Sequence, residues 1–229
     1  MSTLVSYELE HSFATLRMDD GKVNVLSLAM LSQLNAALDQ AQAARAVVLL
    51  TGRTGVFSAG FDLSVLRPGG DEARAMLQAG FQLALRLLSF PTPVVIACTG
   101  HSLAMGAFLL LAGDLRLGAE GAFKIGVNEV AIGMTMPYFG VEMCRQRLAP
   151  AYFQRAVINA EIYDPAQAVT AGFLDHTVGA DALAAAAQSA AAAFSKLDPT
   201  VHAATKLRVR AHALQAIREA IVADVLDPE

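Results

Sequence analysis

Glu129 is the residue whose type and surroundings first suggest chemistry. It is the single acid between Gly121 and Pro137, in the run GAFKIGVNEVAIGMTMP, where most other residues are apolar, glycine or amide. Burial in such surroundings raises the pKa of a carboxyl group, and a group of this kind can carry protons near neutral pH. A carboxylate that caps a helix or pairs with an arginine would fit the same position. From this run alone both interpretations stay open.

The run GHSLA at residues 100–104 suggests a second kind of chemistry. It follows an apolar run and precedes a helical one, as the nucleophile elbow G-x-S-x-G of serine hydrolases does. Its fifth position is Ala104 rather than glycine, and no motif marks the acid and the histidine that a Ser102 nucleophile needs. The alternative interpretation is that His101 and Ser102 line a turn.

Neither a metal site nor a nucleotide site is expected. The five histidines are scattered, and no H-x-x-x-H pair occurs. The glycine-rich patterns that bind nucleoside triphosphates and dinucleotides are missing from the sequence. A net charge of −4 without a basic run gives no electrostatic footprint for nucleic acid or an acidic membrane.

Length and composition predict a globular protein with much apolar surface to cover. The 229 residues suit one domain or one domain with a small appendage. Hydrophobic residues make up 55%, so oligomerisation is plausible. Cys98 and Cys144 lie in apolar runs, as packed thiols do in a reducing compartment, and no signal peptide is recognised, so a cytoplasmic location is expected. The most apolar window, residues 94–112, is interrupted by His101 and glycines, which argues against a membrane span.

Short apolar runs in the first half of the chain predict strands. Residues 4–10 and 12–18 alternate in part and predict an antiparallel pair. Residues 46–52 and the run PTPVVIACTG have the length and composition of strands that are covered on both faces. A Gly-containing loop and then a helix follow each of these two strands, GHSL being assigned to the second loop. This order predicts an α/β architecture of stacked units.

The remaining segments predict helices. Ser27 is a candidate N-cap for a helix over residues 28–44, where apolar residues recur at helical spacing. After Pro137, helices are predicted at 138–148, 150–158 and 165–171. From Asp181 the chain reads as an Ala-rich helix and then one long amphipathic helix that ends near Ala223. A partner subunit is the expected recipient of the alanine face.

Four runs taken together resemble the crotonase superfamily of enoyl-CoA hydratases and isomerases. They are VVLLTGRTGVFSAGFDL, PVVIACTGHSLAMGA, DLRLGAEGAFKIG and NEVAIG, in the order and spacing of that superfamily. The resemblance implies a crotonase-like spiral of repeated ββα units over residues 1–175. It also implies a helical C-terminal region, residues 176–229, that takes part in oligomerisation and closes the site. NEVAIG looks closest to the Δ3,Δ2-enoyl-CoA isomerase branch.

The resemblance implies chemistry on an acyl-CoA thioester whose oxygen is held by two backbone N–H groups. Carried over by position, these donors are Phe61 and Met105, and the acid is Glu129. It further implies a homotrimer or a dimer of trimers, and no cofactor beyond the coenzyme A of the substrate. The residues it assigns to binding of CoA and the acyl group are Lys22, Val23, Val25, Ala59, Gly60, Asp62, Leu63 and Phe108.

Two departures from the superfamily pattern narrow the expected reaction. Phe108 stands where hydratases carry a second glutamate, so Glu129 alone is expected to move a proton between two carbons and convert 3-enoyl-CoA to 2-enoyl-CoA. Ala104 and Met105 replace two of three glycines, and a methionine side chain there would narrow the acyl pocket. The alternatives are another thioester-enolate reaction, such as a divergent hydration or a hydrolysis, and a catalytically weak acyl-CoA-binding protein. Lys206 is a candidate to reach the CoA of a neighbouring subunit.

Overall fold

The strands alternate between two sheets in the structure, a computed structural model that describes residues 3–226. The strands are β1 (Val5–Glu10), β2 (Phe13–Met18), β3 (Val47–Thr51), β4 (Gly55–Ser58), β5 (Val94–Cys98), β6 (Gly100–Leu103), β7 (Leu115–Ala119), β8 (Ile125–Gly126) and β9 (His176–Val178). Over the described residues, the larger sheet has the order β1-β2-β3-β5-β7-β9 and the smaller one β4-β6-β8. β1 and β2 are antiparallel, as predicted, and the other pairs are parallel.

The helices follow the predicted positions closely. Ser27 caps the first one, since its side chain accepts a hydrogen bond from the Met30 N–H. Asp164 and Gln167 form a capping box at the start of another. The helices are α1 (Leu28–Ala43), α2 (Leu63–Leu66), α3 (Gly70–Leu88), α4 (Met105–Ala112), α5 (Tyr138–Arg145), α6 (Pro150–Val157), α7 (Pro165–Ala171), α8 (Leu183–Phe194), α9 (Pro199–Val209) and α10 (Ala211–Leu226).

The chain winds as a spiral of ββα units, which confirms the predicted architecture. Each unit has one strand in the larger sheet, the next in the smaller sheet, and then helix. Thus β3 and β4 precede α2 and α3, and β5 and β6 precede α4. Val25 takes the place of a second strand after β2, because it forms a parallel bridge with Gly60. The ends of β4, β6 and β8 therefore come together beside the helices.

The larger sheet is covered on both faces, as its apolar strands predict. Every residue of β3 and β5 is buried. On one face, Ala187 and Ala191 of α8 pack against Val47 and Val95. The expectation that these alanines face a partner subunit is wrong for this pair, because the chain's own sheet covers them.

Two other expectations are also wrong. GHSL is the strand β6 rather than a loop, since the Ser102 N–H donates to the Lys124 carbonyl and the run pairs with β4 and β8. The tail beyond Pro199 is two helices, which are separated at Arg210. The side chain of Arg210 is held by the Leu88 carbonyl and by an ion pair with Asp114. β9, at the start of the predicted C-terminal region, pairs with β7, and the division at residue 175 stays a prediction.

Candidate active site

A pocket of about 590 Å³, its open mouth included, lies where the segments after β4, β6 and β8 meet α2 and α3. Its wall is mainly apolar and aromatic, and Asn128 and Glu129 supply its polar side chains. An apolar pocket with few polar groups is typical of sites for small organic ligands. The lining residues are Ala59, Phe61, Leu63, Leu66, Leu77, Phe81, Ala104, Phe108, Asn128, Glu129, Ile132, Met134 and Pro137.

Glu129 is buried in this wall, with 6% of its surface exposed. Burial raises the pKa of its carboxyl group to about 7, although the backbone N–H groups of Glu129 and Asn128 act in the opposite direction. Within residues 3–226 its Oε2 atom has no hydrogen-bond partner, and it forms no ion pair with an arginine. It precedes the short helical turn Val130–Ile132 without capping it by its side chain. The interpretations of Glu129 as a helix cap or as the partner of an arginine are therefore wrong. Its titratable carboxyl group lies in the pocket wall.

The segment after β4 is held by the loop that precedes α1. The Ala59 N–H donates to the Val23 carbonyl at 3.0 Å, and the Leu26 N–H donates to the Gly60 carbonyl at 2.8 Å. Gly60 has a φ of +91°, a conformation that glycine adopts without strain. These contacts turn the chain so that Phe61 follows directly at the pocket.

The segment after β6 turns sharply into α4. Ala104 has a φ of +50°, and its N–H donates to the Gly126 carbonyl at 3.1 Å. Met105 is the first residue of α4, a position whose N–H has no partner within a helix. Its side chain is buried in the core beside Gly80 of α3 and is not among the pocket-lining residues. The expectation that Met105 narrows the pocket is therefore wrong, because Ala104 presents its side chain there instead.

The two segments touch each other next to these amides. A Cβ added to Gly60 would lie 3.0 Å from the Leu103 carbonyl oxygen and 3.2 Å from the Met105 nitrogen. Among the described residues, neither the Phe61 N–H nor the Met105 N–H donates to a protein acceptor. Phe61 and Glu129 line the pocket, and Met105 directly follows the lining residue Ala104. Two free amides and one buried acid in this arrangement can bind an oxygen that gains negative charge and move a proton beside it.

The other residues assigned to substrate binding fall into two groups. Ala59, Leu63 and Phe108 line the pocket. The remaining ones lie behind or outside its wall: Val25 and Gly60 form the bridge between the loops, Asp62 accepts a hydrogen bond from the Ser64 N–H at the start of α2, and Val23 and Lys22 are exposed.

An aromatic layer beneath the pocket was missed by the sequence interpretation. The Phe139 ring of α5 stacks on the Phe81 ring of α3 with centroids 4.1 Å apart. It also meets the Phe108 ring edge-on at 5.6 Å. Leu77 and Phe81 lie four residues apart on one face of α3, a spacing that could have indicated a shared wall. No local signal points to Phe139, which comes from a distant helix.

Lys206 and Ser102 do not take part in the pocket. The Lys206 ammonium group is buried, donates to the Phe90 and Thr92 carbonyls, and lies 2.6 Å from Asp114. The expectation that it reaches a neighbour's CoA is wrong in this conformation. Ser102 is fully buried in β6, and its hydroxyl has no partner in the part of the chain that the structure describes. A serine hydrolase triad is therefore not assembled.

Within residues 3–226 the chain has neither a candidate metal site nor a candidate membrane span. No three histidine, cysteine, aspartate or glutamate side chains cluster in a way that could hold a metal ion. No helix combines the length and the hydropathy that a membrane span needs. Cys98 and Cys144 are free and buried, as predicted.

The ββα spiral, with a buried acid and a free amide at one pocket and a second free amide beside it, defines an α/β protein of the crotonase fold. The model of the enoyl-CoA hydratase/isomerase family matches residues 8–225. The chain belongs to this family.

Similar proteins are described by both of the names in the family's description. A structure described as the enoyl-CoA isomerase of Mycobacterium tuberculosis is 47% identical, covers 99% of both chains and has a TM-score of 0.94. Another structure of the same protein, described as a probable enoyl-CoA hydratase, is 48% identical over 96% of this chain and 93% of that one, with a TM-score of 0.93. Enoyl-CoA delta isomerase 1 of Rattus norvegicus is 28% identical over 90% of this chain and 73% of its own length.

Proposed function

We propose that this chain is an enoyl-CoA isomerase that converts 3-enoyl-CoA to 2-enoyl-CoA. The observation that carries the proposal is the buried carboxyl group of Glu129, the one acid among the described residues that line the pocket. Phe108, at the position where a hydratase would carry a second acid, also belongs to the lining. A water that adds to a double bond needs one group to accept a proton and another to deliver one. One carboxyl group suffices when the same proton leaves one carbon and returns to another.

The reaction would run in two proton transfers. The Glu129 carboxylate removes a proton from C2, and the electron pair of that C–H bond moves toward the thioester oxygen to give a dienolate. The Phe61 and Met105 N–H groups donate hydrogen bonds to this oxygen, and loss of one such donor typically costs about 2.7–4 kcal/mol of transition-state stabilisation. Protonated Glu129 then returns the proton to C4, which leaves the double bond between C2 and C3. A carboxyl pKa of about 7 suits a group that must both accept and release a proton.

The rest of the substrate would extend from this centre in two directions. The acyl chain would enter the apolar pocket past Leu63 and Phe108, and the CoA would lie along Lys22, Val23, Val25, Ala59, Gly60 and Asp62. The coenzyme A of the substrate is then the only carrier involved, and no further cofactor is proposed. A homotrimer or a dimer of trimers in the cytoplasm completes the proposal.

Hydration of 2-enoyl-CoA is a second candidate, favoured by one observation. The Asn128 Oδ1 and Glu129 Oε2 atoms are buried acceptors that lack partners within residues 3–226, and both residues line the pocket. Two such acceptors could hold the two hydrogens of a water molecule. An amide cannot deliver a proton as a carboxyl group does, so this candidate ranks below isomerisation.

The test is to incubate the protein separately with 3-hexenoyl-CoA and 2-hexenoyl-CoA. Isomerisation predicts a gain of conjugated thioester absorbance from the first substrate. Glu129→Gln should abolish this gain, whereas Ser102→Ala and the exposed control Glu120→Gln should retain it. Full activity of Glu129→Gln would refute the mechanism. A mass gain of one water on the second substrate, faster than isomerisation of the first, would favour hydration instead.

A further inference from the structure

The start of α5 is capped by a residue from the far end of the chain. Asp224 of α10 accepts hydrogen bonds from the Tyr138 N–H and the Phe139 N–H, at 2.8 Å each and through different carboxylate oxygens. Pro137, which precedes the helix, provides no side-chain cap among the described residues. A carboxylate at this place satisfies two amides that would otherwise lack partners and interacts favourably with the helix dipole.

These two hydrogen bonds act on the aromatic layer beneath the pocket. Phe139, one of the two residues held by Asp224, is fully buried and contacts the Phe81 and Phe108 rings. Both of those rings line the pocket, and so does Pro137. Because packed rings transmit displacement to their neighbours, a shift at the start of α5 would move the apolar wall. Asp224 itself is not among the lining residues, and its carboxylate is bonded to the start of α5, so the effect of that carboxylate reaches the pocket through α5.

We propose that Asp224 is a positioning residue that sets the shape of the acyl pocket and thereby its preference for acyl chain length. The inference rests on the proposed function in that it takes the pocket to be the acyl site. It assigns to α10 a role in substrate selection, with no contact between that helix's carboxylate and the substrate. Phe139 and the start of α5 carry the effect.

The chain offers a matched control for the loss of this cap. Asp198 also accepts two backbone N–H groups, those of Thr200 and Val201, at 2.9 Å each. It caps α9, which contributes no residue to the pocket. Asp224→Ala and Asp198→Ala therefore remove the same kind of interaction from two helices, of which only one supports the pocket wall.

The experiment measures binding of octanoyl-CoA and acetyl-CoA by titration calorimetry for the wild type, Asp224→Ala, Asp224→Asn and Asp198→Ala. We expect Asp224→Ala to weaken octanoyl-CoA binding about tenfold, the effect if the whole energy of about one cap interaction is lost from the bound state. Acetyl-CoA binding should weaken less than about twofold. Asp224→Asn should lie between, because it keeps one acceptor oxygen. Asp198→Ala should lower the melting temperature without changing the ratio of the two affinities.

Three outcomes would overturn the inference. They are an unchanged affinity ratio in folded Asp224→Ala, equal ratios in Asp224→Ala and Asp198→Ala, and a wild type that binds both ligands equally. If Asp224→Ala does not fold, the ratio in Asp224→Asn decides by the same criterion. Binding needs no turnover, so a wild type that prefers octanoyl-CoA but does not isomerise would refute the proposed function and leave this inference intact. If the wild type is an active isomerase and the affinity ratio is unchanged in Asp224→Ala, the proposed function stands and this inference is refuted.

Discussion

The Cβ atom of Ala104 lies 2.9 Å from the point where a Cβ on Gly60 would stand. Both residues have positive φ angles, +50° and +91°, and each directly precedes one of the two free amides. The approach of the two segments is thus possible only while residue 60 has no side chain. The absence of a side chain at residue 60 therefore sets the distance between the Phe61 and Met105 N–H groups.

Gly60→Ala is predicted to lower kcat by about 10²–10³, the effect of removing one oxyanion donor. The new methyl group would separate the Phe61 and Met105 amides and would also strain the backbone at residue 60. Gly55→Ala is the matched control, since Gly55 has a φ of +85° but open space around its Cβ position. We expect that control to lose about 1–2 kcal/mol of stability and to keep its kcat. Steady-state kinetics with thermal unfolding measures both, and equal kcat values in the two variants would contradict the prediction.

The isomerisation rate is predicted to depend on the ionisation of Glu129. Burial raises the pKa of this carboxyl group to about 7, and the first step needs the carboxylate. Below that pH, kcat/KM should fall about tenfold for each pH unit, because the protonated acid cannot accept a proton. A profile of kcat/KM between pH 5 and 9 measures this. A rate that stays level down to pH 5 would mean that a different group accepts the proton.

The same acid is predicted to reduce stability at alkaline pH. Its pKa is raised from 4.5 to about 7 on folding. Its contribution to the free energy of unfolding is therefore fully present below pH 4.5 and is lost as the pH rises through 7. Replacement by glutamine removes this loss, so Glu129→Gln should be more stable than the wild type at pH 8 by up to roughly 3 kcal/mol. At pH 4.5 that advantage should vanish. Urea unfolding at both pH values tests it, with exposed Glu120→Gln as the control; a pH-independent difference would contradict it.

Lys206 is predicted to matter for stability and not for CoA binding. Lys206→Met would remove the 2.6 Å ion pair between the buried Lys206 and the partly buried Asp114, and two hydrogen bonds to carbonyl groups. We expect a loss of about 3 kcal/mol, at the lower end for a broken buried pair because Arg210 still contacts Asp114. The KM for 3-enoyl-CoA should not change. Exposed Lys196→Met should leave both quantities unchanged, and a raised KM in Lys206→Met with normal stability would restore a role in binding CoA.

Those parts of the fold that depend on local patterns could be predicted from the sequence. The cap at Ser27, the buried run at β3 and the isolated acid at Glu129 are each contained in a few consecutive residues. The order of strand, loop and helix was predictable from local patterns, whereas the ββα units were implied by the resemblance to the crotonase superfamily. The Phe61 and Met105 amides were assigned by resemblance, and their role stays a prediction.

The parts that depend on tertiary contacts could not be predicted. β6 is four residues long, and its strand conformation comes from pairing with β4 and β8. The break at Arg210 reflects an ion pair with a residue about a hundred positions earlier. Phe139 reaches the site by packing its ring against Phe81 and Phe108, and Asp224 by capping α5 from a distant helix. Neither contact corresponds to a motif in the sequence.

The amide and the side chain of Met105 lie in different surroundings: the amide is beside Gly60, and the thioether is in the core beside Gly80. An alanine scan would remove the thioether and leave the amide in place, so it would record Met105 as a packing residue. The same holds for Phe61, whose ring and N–H also serve different purposes. Under the proposed mechanism, truncating the side chains of Phe61 and Met105 would leave the groups that stabilise the dienolate in place. An amide-to-ester replacement at residue 61 or 105 would remove one donor at a time.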